Sequence, residues 1–146
     1  MENIRHRVGI RAPRPAVLTK LTTLDGLASW WTTDLAGDPE PGGKVEFRFG
    51  RPDRYVFMEV VDVTEDGVVW NCVGGPDEWV GGVVTFDLEQ LPDETVLKFT
   101  QSWRDPVDFM FHCNTKWGVF LLSLKASLEG GEGTPYPRDL QISSWS

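Results

Sequence analysis

The sequence predicts an α+β fold in which a curved antiparallel sheet of about six strands wraps around a long C-terminal helix. Three observations indicate this fold: a run of segments with a period of two, a final segment with an apolar period near 3.6, and helical segments that stand apart from the strand run. The 146 residues are the size of one domain. We therefore expect a single domain over 1–146, with an extended and partly mobile tail over 134–146.

The N-terminal part is predicted to form one strand and two short helices. Apolar and polar residues alternate over 4–10, which is typical of a half-buried strand. Pro15 cannot extend strand pairing but fits the first turn of a helix, which we expect over 16–22. A second short helix is expected over 26–31.

Five further strands are predicted, each bounded by turn residues. The alternation is clean in the first of them, where Val45, Phe47 and Phe49 share one face. Asp66-Gly67 is a strong hairpin signal between the second and the third. The predicted strands cover 44–50, 55–64, 68–73, 83–89 and 95–104.

The last element is predicted to be a helix over 108–128, with Asp108 as its N-cap and Gly130 as its stop. At 1.5 Å per residue this helix is about 30 Å long, the width of a small domain. Its apolar stripe would fill the concave side of the sheet. The stripe consists of Met110, Cys113, Trp117, Phe120, Leu121, Leu124 and Leu128.

Composition excludes several classes of function. The net charge of -8 repels phosphate backbones and anionic membrane surfaces, so nucleic acid is excluded as a partner. We expect no membrane insertion, since no apolar run reaches the length of a bilayer span. Cytoplasmic location is expected, with Cys72 and Cys113 as reduced packing residues. Two histidines without a metal-ligand spacing, and no phosphate-binding loop, predict neither a metal nor a cofactor.

Two segments resemble a known family. The letters LDGLASWWT over 24–32 and KWGVFLLSLK over 116–125, followed by LEGG over 128–131, are similar to START-like helix-grip proteins. Within that superfamily, which includes the birch-pollen-allergen-like (SRPBCC) proteins, they resemble the branch named for activators of the ATPase of the ninety-kilodalton heat-shock chaperone. The resemblance implies a cavity between the sheet and the C-terminal helix, and a chaperone as a partner.

The chain departs from this family at two positions. Members often carry a histidine in the last strand, where this sequence has Gln101, and a glycine before the helix tryptophan, where it has Lys116. An amide does not titrate, so Gln101 cannot transfer a proton. The cavity is therefore better suited to binding than to catalysis.

The chain contains seven Trp and eight Phe but only two Tyr, which favours bulky apolar surface. These rings either line a ligand cavity or fill the core completely. The predicted ligand-binding residues are Trp30, Trp31, Phe47, Phe49, Trp70, Phe86, Phe99, Gln101, Trp103, Trp117, Phe120 and Leu121. Further polar groups that could orient a ligand are Asn71, His112 and Glu59. Three arginines either guard the cavity mouth for an acidic ligand or are solvated loop charges: Arg51, Arg54 and Arg104.

The leading hypothesis is a protein that binds a small hydrophobic or aromatic molecule between sheet and helix. Two alternatives stay open. One is a co-chaperone that regulates a chaperone ATPase, and the other is an enzyme of the cyclase, dehydratase or hydrolase type, for which no catalytic residue stands out. The sequence leaves both a monomer and a homodimer open.

Overall fold

The computed structural model describes residues 2–146, which form one seven-stranded antiparallel sheet and three helices. The strands are β1 (Glu2–Ile10), β2 (Leu35–Gly37), β3 (Lys44–Arg48), β4 (Tyr55–Thr64), β5 (Gly67–Gly74), β6 (Val83–Gln90) and β7 (Thr95–Trp103). The helices are α1 (Arg14–Thr22), α2 (Leu24–Ala28) and α3 (Asp108–Leu128).

The strands are ordered β1-β7-β6-β5-β4-β3-β2, so each strand from β2 to β6 pairs with the next along the chain, and β7 pairs with β1 on its other side. The predicted α+β helix-grip fold is confirmed: a curved antiparallel sheet holds one long helix, with two short helices after the first strand. The number of strands is seven rather than six. The strand β2 leaves little sign in the sequence, because it is only three residues long and Leu35 is its only partly buried residue.

The long helix α3 has the predicted limits, and the predicted stripe is buried except at Leu128, which is only partly buried. The predicted N-cap at Asp108 is wrong, because Val107 takes that position without a side-chain cap and Asp108 is the first helical residue. There the carboxylate still faces the positive end of the helix dipole. Two polar side chains, Lys116 and Ser123, are buried on the same helix. Both contact the C-terminal tail.

Helix α2 is shorter than the predicted 26–31 and begins earlier. The Thr23 hydroxyl accepts a hydrogen bond from the Gly26 amide at 3.0 Å, and this cap fixes the start of the helix. Trp30 and Trp31 follow the end of the helix and are nevertheless buried.

Aromatic rings fill the middle of the concave face. The ring centroid of Trp31 lies 4.2 Å from that of Phe47 and 5.0 Å from that of Trp117. The ring of Phe86 meets that of Trp70 edge to face at 4.9 Å. These are the separations of packed aromatic pairs. We call this set of buried rings the aromatic core; it comprises Trp30, Trp31, Phe47, Trp70, Phe86, Phe99 and Trp117.

Candidate functional site

Gln101, the polar residue predicted to orient a ligand, bonds two side chains of the protein itself. Its side-chain oxygen accepts hydrogen bonds from the indole N–H groups of Trp103 and Trp117, both at 2.9 Å. Only 2% of Gln101 is exposed. A buried amide oxygen with two donors has both lone pairs occupied. Gln101 therefore fixes the orientation of Trp117 in the aromatic core and of Trp103 beside it.

A pocket of about 500 Å³, partly open to solvent, lies at one end of the sheet. Its walls come from the β3–β4 and β5–β6 loops, the start of β4, one face of α3 and the C-terminal tail. The lining is mostly aromatic and apolar, with a few charged groups. It consists of Trp31, Phe49, Asp53, Arg54, Tyr55, Val56, Pro76, Trp79, Phe109, His112, Cys113, Lys116, Trp117, Phe120, Tyr136, Asp139, Trp145 and Ser146.

The tail residues 134–146, which we call the C-terminal strap, form one wall of this pocket. The backbone of Tyr136 donates to the Trp31 carbonyl at 2.8 Å and accepts from Thr33 at 3.2 Å. The hydroxyl of Tyr136 occupies the space where a Cβ of Gly50 would lie, and Gly50 has a φ of +93° that favours glycine. Backbone hydrogen bonds to Trp31 and Thr33, and close packing of the Tyr136 ring at Gly50, therefore hold the strap in place.

Three basic side chains of the pocket wall also hold the strap. The Lys116 ammonium forms a salt bridge with a strap carboxylate, the Arg54 guanidinium donates to a strap carbonyl at 3.2 Å, and Nε2 of His112 lies 3.0 Å from a strap hydroxyl. Their partners are Asp139, Trp145 and Ser146 in that order. Lys116 also donates to the carbonyl of Leu140 at 2.9 Å.

The electrostatics of the pocket disfavour nucleophilic catalysis. Burial raises the pKa of the Cys113 thiol to about 12, so the thiolate is scarce at neutral pH. Burial, together with the positive charges of Lys116 and Arg54, lowers the pKa of His112. Among residues 2–146, only the Ser146 hydroxyl bonds the His112 ring, and no carboxylate orients its second nitrogen as a catalytic pair requires.

One buried donor in the pocket wall lacks an oxygen or nitrogen acceptor. The indole N–H of Trp79 is near only the Cys113 thiol, a weak acceptor, within the described part of the chain, although the residue is only 8% exposed. Leaving such a group unpaired costs about 1–3 kcal/mol. Trp79 also stacks on Trp117 at 5.9 Å, which places the ring between the aromatic core and the pocket. In the same range, 2–146, no three His, Cys, Asp or Glu side chains are grouped closely enough to hold a metal ion.

Four of the predicted ligand-binding residues line the pocket: Trp31, Phe49, Trp117 and Phe120. The other eight lie in the packed interior beside it: Trp30, Phe47, Trp70, Phe86, Phe99, Gln101, Trp103 and Leu121. Whether any of them contacts a ligand stays a prediction. His112 and Arg54 also line the pocket. Asn71 does not, because it lies between the buried Trp70 and Cys72 and points to the other face of the sheet, where Glu59 is paired with it.

The contributions of the strap and of Trp79 were not predicted from the sequence. Tyr136 and Trp145 are large aromatic residues in the tail, and their presence there was the available signal for a docked segment. Nothing in the sequence pattern pointed to Asp139, because its role depends on Lys116, which lies 23 residues away.

A curved antiparallel sheet around a long C-terminal helix, with a pocket at one end of the grip, defines the START-like helix-grip class of proteins. The description "Activator of Hsp90 ATPase homolog 1-like protein" names the family whose model matches residues 11–129. The chain belongs to this family, which confirms the branch indicated by the two resembling segments. Among curated proteins none matches the chain.

Solved structures agree with this assignment. The chain is 42% identical to the Aha1 dimer from Colwellia psychrerythraea, with a TM-score of 0.83 over 91% of this chain and 100% of that one. A protein from Staphylococcus saprophyticus has a TM-score of 0.75 at 18% identity, over 90% and 95% of the two chains. DynU16, from the dynemicin biosynthetic locus, has a TM-score of 0.77 at 23% identity over 93% of this chain and 50% of that one. The last two show the fold alone.

Among the helices of residues 2–146, none combines the length and the apolar character that a bilayer crossing requires.

Proposed function

We propose that the protein binds a small hydrophobic or aromatic molecule in the pocket between α3, the two loops and the C-terminal strap. The observation that carries this proposal is the contrast between a filled aromatic core and an adjacent open space of about 500 Å³. That volume lies within the range of ligand pockets, about 300–1,000 Å³. Cys72 and Cys113 are free thiols, and we expect the protein to act in the cytoplasm, where thiols stay reduced.

Affinity would come chiefly from apolar burial against the ring surfaces. Removing about 200 Å² of apolar ligand surface from water stabilises the complex by about 5 kcal/mol before the costs of association are subtracted. The Trp79 indole N–H can donate to one polar atom of the ligand, which would give this buried donor a stronger acceptor than the Cys113 thiol. This predicts a ligand with one acceptor near an apolar body.

The test uses phenylnaphthylamine, a neutral aromatic probe whose fluorescence rises in apolar surroundings. We expect saturable binding at one site. His112→Trp adds bulk to the pocket wall and should weaken binding by about tenfold, a loss of about 1.4 kcal/mol. Phe111→Trp is the matched control, since Phe111 is the adjacent helix residue and is 61% exposed outside the pocket.

Unchanged affinity for His112→Trp, or an equal loss in both variants, would show that the probe binds elsewhere. Binding that never saturates would show that the chain has no defined site for the probe. Either result would overturn the proposed function.

A second candidate is regulation of a chaperone ATPase by a dimeric protein. It is favoured by the family description and by the 42% identical Aha1, whose structure is a dimer. Phe111 and Leu122 lie 11 residues apart on α3, hence on the same side of the helix, and are 61% and 60% exposed. Exposed apolar side chains at such spacing suit a protein interface.

Sedimentation velocity of the wild type and of a Phe111→Ser, Leu122→Ser double variant tests the interface. We expect a dimer that dissociates in the variant, together with stimulation of ATP hydrolysis by a purified heat-shock chaperone of the ninety-kilodalton class. A monomeric wild type with no effect on the ATPase rate would eliminate this candidate.

A further inference from the structure

Lys116 and Asp139 form an ion pair that water barely reaches. The side chain of Lys116 is 11% exposed and that of Asp139 is 8% exposed, and both line the pocket. The Lys116 ammonium also lies 5.4 Å from the ring centroid of Phe120. A charge buried this far needs a partner of opposite sign, because leaving it alone costs several kcal/mol. The pocket wall therefore contains a site for an anion at Lys116, and the Asp139 carboxylate of the strap occupies it.

The charged side chains that line the pocket balance only while the strap is in place. The wall holds two cations, Arg54 and Lys116, and two carboxylates, Asp53 and Asp139. Within residues 2–146 Arg54 forms no salt bridge, and its guanidinium bonds a strap carbonyl instead. If Asp139 leaves, the wall has an excess of one positive charge, which suits a monoanion.

We propose that the ligand of this pocket is an apolar molecule with one anionic headgroup, and that this headgroup replaces Asp139 at Lys116 and releases the C-terminal strap. This inference rests on the proposed function and adds to it the chemical class of the ligand. Exchanging one carboxylate for another anionic group keeps Lys116 paired, so the buried charge is never exposed to an apolar wall. Apolar contacts of the ligand body then replace those of the strap.

Charged and neutral ligands should differ in how they affect the strap. A neutral ligand cannot pair with Lys116, so it gains nothing from displacing Asp139 and binds with the strap in place. An anionic ligand competes with Asp139 and with the strap groups that Arg54 and His112 hold. Its affinity is therefore limited by the strap, and weakening the strap should increase it.

Two probes with the same aromatic body test this difference. Anilinonaphthalene sulfonate carries one sulfonate, whereas phenylnaphthylamine is neutral. In Asp139→Asn the competing carboxylate is lost, and we expect the affinity for the sulfonate probe to rise about tenfold while that for the neutral probe stays within about twofold. Asp105→Asn is the matched control: it removes an exposed carboxylate that does not line the pocket, and both affinities should stay within about twofold.

Release of the strap is measured on the wild-type protein by trypsin cleavage after Arg138, an exposed strap residue. The sulfonate probe should accelerate the appearance of the shortened chain in mass spectra, and the neutral probe should not. This measurement decides the question even if Asp139→Asn unfolds.

Three results separate the two proposals. If neither probe binds, the proposed function fails and this inference fails with it. If the neutral probe binds but Asp139→Asn leaves the sulfonate affinity unchanged or lower, only the anionic headgroup is overturned. Equal acceleration of cleavage by both probes would likewise overturn the link between ligand charge and the strap.

Discussion

The two ends of the space between sheet and helix are built from the same kinds of side chain but pack differently. In the aromatic core, rings from neighbouring strands meet directly, as Phe86 and Phe99 do across the β6–β7 ladder at 5.3 Å. At the other end, Phe49, Trp79 and Phe109 surround a pocket of about 500 Å³. One end is filled by rings and the other is open.

The difference follows from what positions the rings. Strand pairing sets the spacing of side chains to about 5 Å, so large rings on adjacent strands are forced into contact. The pocket lining comes mainly from loops, a helix face and the strap, which no ladder holds at a fixed spacing. The pocket can therefore stay open at this end. An empty cavity among the tightly packed rings of the aromatic core would instead destabilise the fold.

The largest effect should come from truncating a ring in the aromatic core. Phe86→Ala leaves a closed cavity among Trp30, Trp70 and Phe99, and should lower the free energy of unfolding by about 4 kcal/mol. Phe120→Ala adds its volume to a pocket that water already enters, and should cost about 2 kcal/mol. Urea denaturation followed by tryptophan fluorescence measures both.

Probe binding sharpens the same comparison. Phe86→Ala should leave the affinity for phenylnaphthylamine unchanged, and Phe120→Ala should alter it, since only Phe120 lines the pocket. If the two substitutions lowered the free energy of unfolding equally, that result would contradict the view that one end is closed and the other open.

A smaller loss of stability is expected at Gln101. Gln101→Leu removes the acceptor of two buried indole N–H groups, on Trp103 and Trp117, and should cost about 3 kcal/mol, within the range for two unpaired donors. Thr100→Val, the preceding residue on the partly exposed face of β7, is the control and should change stability by less than about 1 kcal/mol. Equal stability of the Gln101→Leu variant and the wild type would show that the two indoles find other acceptors.

The smallest expected effect is a pH dependence at the open end. Burial and the charges of Lys116 and Arg54 lower the pKa of His112 below 6.5, although Asp53 and Asp139 lie in the same wall. The unfolded chain then binds a proton more readily than the folded one, so the neutral ring favours folding above pH 6.5 and that contribution is lost as pH falls through the folded pKa.

His112→Gln removes this titration. Between pH 7 and pH 5 the wild type should lose more unfolding free energy than the variant, by less than about 1 kcal/mol, because solvent screens a partly exposed group. Urea denaturation at both pH values measures the difference. Parallel losses in the two proteins would contradict a depressed His112 pKa.

Much of the fold could be predicted from the sequence because its signals are local. The period near 3.6 over 108–128 gave helix α3 its limits, and alternation gave most strands theirs. Where the pattern was short or interrupted the prediction was incomplete: the strand β2 was missed, and the boundaries of α2 were set by the Thr23 cap rather than by the tryptophans after it.

The sequence by itself determined that this chain forms a sheet around a long helix, and that most aromatic residues of the strands and of that helix point inward, since both follow from periodicity along the chain. Only the tertiary structure decided which aromatic residues fill the core and which line the pocket. The walls of the pocket bring together Trp31, Arg54, Trp79, Lys116 and Asp139 from distant parts of the chain. Contacts between residues so far apart depend on how the loops and the strap pack, and no local pattern encodes that packing.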